Sequence, residues 1–178
     1  MVEPGSPLLA LSDHAAELVE RTGSSIVAVH SGGRWSSSGI HWRSGVIVTA
    51  EEVLERDENI KLTLPSGHVA DASLAGRDPT TDVAVLRFQP DGLPVATTAE
   101  ASLHAGHVVL AVGNHDGAPL AALGIVALAG GAWHSVRGAC VSIALGDFAD
   151  RSARHQDARG ARVAWRELSV LGIGALAI

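Results

Sequence analysis

At 178 residues with 47 % apolar side chains, the chain is long enough to bury a core, as one ordinary domain or two small joined lobes. A net charge of −6 excludes the basic face that nucleic acid requires, and no run of Lys or Arg offers a membrane-docking patch. The single cysteine, Cys140, excludes an internal disulfide, and 20 glycines against 7 prolines suit short strands joined by tight turns.

Met1 to Ser12 has no basic segment leading into a long apolar one, so no signal peptide is expected. Leu8 to Arg21 has helical spacing, with Leu11, Ala15, Leu18 and Val19 on one face, Ser12 as N-cap and Thr22-Gly23 as the stop. The period then drops to two. Strands are expected at Ser25 to His30, Ser38 to Arg43, Val46 to Thr49, Ile60 to Leu64, Val69 to Ala75 and Asp82 to Phe88. Ser44-Gly45 reads as the tight turn of the second and third of these.

Gln89 to Thr98, with Pro90, Gly92 and Pro94, reads as a linker between lobes. Strands resume at Val108 to Val112 and Leu123 to Leu128, and Gly130-Gly131 is expected to break the second. Asp147 to Arg162 is polar and Arg-rich, a surface loop, and Val163 to Ile178 is apolar enough for two closing strands. Val108 to Val112 and Leu168 to Ile178 are too short or too Gly-broken to span a bilayer. The expected setting is soluble and cytoplasmic, or a bacterial family that manages without disulfides.

Three segments carry a resemblance. Gly45-Val-Ile-Val-Thr-Ala-Glu-Glu-Val-Leu54 resembles the G-x-I-x-T-x-x-H-V that bears the catalytic histidine of HtrA-type serine proteases. Gly67 to Leu86, ending Gly76-Arg-Asp-Pro-Thr-Thr-Asp-Val-Ala-Val-Leu86, is similar to the stretch bearing their aspartate. Gly106-His-Val-Val-Leu-Ala-Val-Gly-Asn114 is similar to the G-x-x-V-x-A-I-G-N-P that opens their second barrel. The resemblance covers about Ser24 to Ala129. It implies an all-β fold of two antiparallel six-stranded barrels, of the chymotrypsin type, with a helical arm at 1–23 and lobes at 24–90 and 91–178. The chain ends about where the family's last strand does, so neither the closing helix nor a PDZ domain is expected.

A triad of this kind needs a serine nucleophile, a histidine that carries its proton, and a buried aspartate that orients the histidine. The resemblance puts the aspartate at Asp82 and the histidine at Glu52. A carboxylate titrates near 4.3 against about 6.5 for imidazole, so Glu52 is a poor substitute base. No G-x-S-G-G-P string exists, and the register set by Asp157-Ala-Arg-Gly160 puts Arg151 at the nucleophile, with Ser152 one residue off and without flanking glycines. Arg151 could instead neutralise Glu52 and Asp82 as an ion cluster. The expectation is a protease-like domain with no functional catalytic residue, binding a protein or peptide between the barrels by strand addition or pairing with its own copies. The alternative is an active endopeptidase using Ser152 and an unidentified base. A third reading is a segment after Gly138 altered from an active parent.

The remaining candidates read as structural. His104-x-x-His107 with His115-Asp116 flanks a glycine before a strand, so no metal is expected there, and no cofactor either. Cys140 reads as a small buried thiol, and Trp35, Trp42, Trp133 and Trp165 as core or rim anchors. The charges from Glu51 to Glu58 read as a solvated short helix or loop, with an acidic docking surface as the alternative.

Overall fold

The computed structural model describes residues 6–32, 36–79, 82–90, 92–98, 103–134, 140–147 and 176–177, with side chains described as far as Val126. The chain opens on α1 (Pro7–Gly23) and continues as β1 (Ile26–His30), β2 (Ser37–Arg43), β3 (Val46–Ala50), β4 (Ile60–Thr63), β5 (Val69–Asp78) and β6 (Val83–Phe88). These six strands close a barrel in the order β1-β2-β3-β6-β5-β4, all neighbours antiparallel, with β1 meeting β4 at Ala28↔Thr63.

Alternation builds the barrel interior. Val27 and Val29, Ile47, Ile60 and Leu62, and Ala84, Leu86 and Phe88 form one buried cluster, which Leu54 and Leu64 join from the turns. Full burial of such a side chain is worth about 1.5–3 kcal/mol relative to leaving it exposed. Gly39 is required here, because a Cβ would lie 2.6 Å from Ile47 Cγ2 and 2.9 Å from Val29 Cγ2. The tight turn read at Ser44-Gly45 is present, with Gly45 at φ 71°.

The helix begins earlier than its expected cap. Ser6 is the N-cap and Pro7 stands in the first turn, so Ser12 lies inside the helix. Proline fits there because its fixed φ suits the first turn and it has no N–H to leave unpaired. Leu18 is buried with Ile26, Leu110 and Val112, and Ala15 and Val19 pack beside it, but Leu11 is 47 % exposed. The apolar stripe therefore outruns the surface it covers.

The second half supplies β7 (Val108–His115), β8 (Ala118–His134), β9 (Cys140–Asp147) and β10 (Leu176–Ala177), in the sheet order β10-β7-β8-β9. Gly130-Gly131 does not break β8. The strand runs through the pair, and its register against β9 shifts between Ala129 and Trp133. Glycines inside a strand commonly mark such bulges, where extra residues fit without ending the ladder.

Asn114 joins the two halves. Its side-chain N–H donates to the Ile26 carbonyl at 3.0 Å, its Oδ1 accepts the Gly117 N–H at 2.8 Å, and its backbone N–H donates to Ser38 Oγ at 3.0 Å. Within the described residues no helix is long and apolar enough to cross a membrane.

Candidate functional site

The segment that should carry a catalytic base leaves β3 at Ala50 and turns over the end of the barrel. Leu54 N–H donates to the Glu51 carbonyl at 3.1 Å, which closes that turn. Ser31 holds its far side, donating to the Val53 carbonyl at 3.0 Å and accepting the Glu55 N–H at 3.1 Å. Leu54 is buried in the barrel core and anchors the loop from below.

Asp82 enters from the start of β6 with φ 56°, a left-handed backbone that aspartate tolerates better than most residues. Its carbonyl accepts the Glu51 N–H at 3.2 Å, and its Oδ1 accepts the Glu52 N–H at 3.0 Å. The structure therefore brings Asp82 and Glu52, the two sequence-assigned positions that it describes, together through the backbone of residue 52. No imidazole or hydroxyl bonds to the Asp82 carboxylate among the described residues. Burial pushes the Asp82 carboxyl above its ordinary value; the backbone N–H opposes this and the nearby Glu51 charge adds to it. Arg151 and Ser152 lie outside the described residues.

Sequence reasoning treated the run from Glu51 to Glu58 as solvated, which is wrong for Glu51. That side chain is buried, and the partner that makes burial tolerable is Arg77. Arg77 Nε donates to Glu51 Oε1 at 2.6 Å, a second guanidinium nitrogen also contacts Glu51, and Nη1 donates to Asp57 Oδ1 at 2.6 Å. The bonds to Glu51 and then Asp57 hold the guanidinium's pKa above its usual value. One arginine thus ties both ends of the 51–57 loop to β5. The register shift between Leu74 and Gly76 precedes it on the strand. The signal in the sequence was a single arginine after that glycine, which alternation alone does not interpret.

The other histidines sit elsewhere. His30 Nε2 lies 3.0 Å from Thr63 Oγ1 and 3.4 Å from Asp116. The rings of His104 and His107 meet edge to face at 5.4 Å, yet no group of three His, Cys, Asp or Glu is placed to hold a metal among the described residues. Trp42 lies 38 % exposed on β2, a rim position. Trp35, Trp165 and the side chains of Trp133 and Cys140 lie outside what is described.

With the geometry in place, comparison with known proteins is informative. The profile of the trypsin-like peptidase domain matches residues 37–159. The chain is 36 % identical over 73 residues to serine endoprotease DegS of Haemophilus influenzae, covering 40 % of this chain and 22 % of that protein. It is 40 % identical over 72 residues to DegS of Escherichia coli K12, covering 39 % and 20 %. A relative named as a periplasmic DegP-like serine endoprotease, from Chlamydia trachomatis, is 36 % identical over 74 residues, covering 41 % and 15 %. The chain thus spans about a fifth of the length of these relatives. Among solved structures, the serine endoprotease from Yersinia pestis superposes with a TM-score of 0.59 at 27 % identity, over 74 % of this chain and 53 % of that one. Deg5 superposes at 0.63 and 23 % identity, over 77 % and 74 %, a likeness of fold.

Proposed function

This chain belongs to the trypsin-like peptidase domain family, and from that premise we propose that it is a member without peptidase activity, one that binds a protein or peptide segment instead of cutting it. The observation that carries the reading is the residue held on Asp82. Where the family's resemblance calls for an imidazole, the chain has Glu52, whose backbone N–H occupies Asp82 Oδ1. A carboxylate, ionised well below neutral pH, is poorly suited to take a proton from serine and return it. The sequence adds Arg151 at the nucleophile's place, and triad residues act as a unit, so two losses leave no partial route.

In this reading the lobes are 24–90 and 91–178, with 1–23 as a helical arm, and the second lobe is a six-stranded barrel like the first. The groove between them takes an extended segment by strand pairing, or a second copy of the chain. The cytoplasmic setting expected from the sequence is weakened by the relatives named as periplasmic.

The relatives are named as serine endoproteases, which favours a second reading: an active endopeptidase using Ser152. A fluorophosphonate probe separates the two, since only an activated serine is phosphonylated. The expected result is no labelling and no hydrolysis of unfolded protein. Labelling mapped to Ser152, abolished by Ser152→Ala, would establish the peptidase.

A further inference from the structure

The segment between β6 and β7 is not a slack linker. Leu93 packs against the barrel core, and Ala96 packs against Ile40, Val48 and Ala50 on the barrel's outer face. One residue holds both ends of this contact. His41 is 1 % exposed; its carbonyl accepts the Ala96 N–H at 2.8 Å, and its Nδ1 lies 2.9 Å from the Pro94 carbonyl. A carbonyl only accepts, so Nδ1 carries the proton and Nε2 presents a lone pair. Nε2 is buried and has no partner among the described residues.

Among the described residues, nothing around the ring is placed to receive a second proton. β3 presents Ile47 opposite it, and β6 presents the Phe88 ring, edge to face at 5.2 Å. The docked segment presents Leu93, Pro94 and Ala96, and the strand entering β1 presents the Ser25 carbonyl, already taken by the His41 backbone N–H at 2.9 Å. None of these side chains is titratable. The nearest charges along the two strands, Arg43 and Arg87, are exposed to solvent. A proton added at Nε2 therefore creates a buried donor without an acceptor, and the simplest relief is for the ring to leave the barrel end.

We propose that His41 is a proton-sensitive latch on the segment joining the barrel to the β7–β10 sheet. Neutral, it holds Pro94 through its ring and Ala96 through its backbone; protonated, it releases both. The bonds that Asn114 makes to Ile26 and Ser38 involve only amide, carbonyl and hydroxyl groups, which do not titrate over this range. The inference does not depend on whether the protein cleaves peptides.

The test is hydrogen exchange of the Ala96 amide, read as a protection factor so that intrinsic pH effects cancel. In the native chain, protection should fall about tenfold or more on acidification from roughly pH 7.5 to pH 5, the size expected of one orphaned buried donor. Protection of Val48, in the β3 ladder, should stay constant. In His41→Phe, which keeps a ring against Phe88 and has no nitrogen to protonate, Ala96 protection should no longer respond to pH. Should that variant not fold, the ring nitrogen shifts of His41 must show it gaining its proton on the same acidification that lowers native Ala96 protection. Constant Ala96 protection, or protection that falls while the ring stays neutral, would overturn the latch.

Discussion

Asn114→Ala removes the side-chain bond from Asn114 to the barrel together with its bond inside the β7–β8 turn. The side chain is 3 % exposed and makes two hydrogen bonds, one to the Ile26 carbonyl and one from the Gly117 N–H. Alanine keeps the backbone contacts with Ser38, so the variant removes only these two. A buried group stranded by loss of its partner costs about 1–3 kcal/mol. The Ile26 carbonyl lies deep and belongs near the top of that range, whereas Gly117 is half-buried and water can reach it, which puts it near the bottom. The expected loss is about 4 kcal/mol, read from urea unfolding with the m-value unchanged. Asn114→Asp should be worse than alanine at neutral pH, because it turns a carboxylate toward the Ile26 carbonyl while keeping the acceptor for Gly117. A loss below about 1 kcal/mol for alanine, with aspartate no worse, would mean that the amide is not what fixes the two halves together.

Three other substitutions perturb the barrel and the loop over its end. The Asp82 carboxyl is raised in the folded state, so folding takes up protons there, and this contribution to stability is present at low pH and lost as pH rises through the folded-state value. Asp82→Asn keeps an oxygen for the Glu52 N–H and removes that dependence; unfolding curves of native chain and variant that run parallel from acid to neutral pH would contradict the assignment. Gly39→Ala forces a methyl into Ile47 and Val29, both buried, and should lower stability by about 1–3 kcal/mol in thermal unfolding; an unchanged melting temperature would show that the barrel has room to relax. Arg77→Lys keeps the charge but loses the fork that reaches Glu51 and Asp57 together, so amide exchange across residues 51–57 should speed up, and unaltered protection there would show the clamp to be dispensable.

The barrel was legible because its inside and outside alternate along every strand, and alternation is what a sequence displays most plainly. Ile60, Leu62, Leu86 and Phe88 all face where their spacing puts them. The helix was legible as a helix but not at its start, since Ser6 caps it ahead of Pro7 and residues 7–14 are exposed, so no buried face marks where it begins. Glu51 was misread for a related reason. Its burial depends on Arg77, 26 residues away, and no local pattern announces a pairing across a turn and a bulged strand. Likewise, Gly130-Gly131 marks a turn and a bulge equally well until the partner strand β9 is known.

In the reading without peptidase activity, the position of Asp82 explains how the histidine can be exchanged while the fold is kept. Asp82 bonds to the backbone of residue 52 and not to an imidazole, so its structural task is indifferent to the side chain that residue 52 carries. The negative charge that acts on the Asp82 carboxyl, already raised by burial, is that of Glu51. Arg77 relieves that accumulation at Glu51, the member of the group that is most buried and most in need of a counter-charge. The loop is thus held by the Asp82 contacts to its backbone, the Arg77 bridge to its two ends and Leu54 in the core. None of these contacts requires catalysis, and in the reading without peptidase activity the loop they hold serves binding.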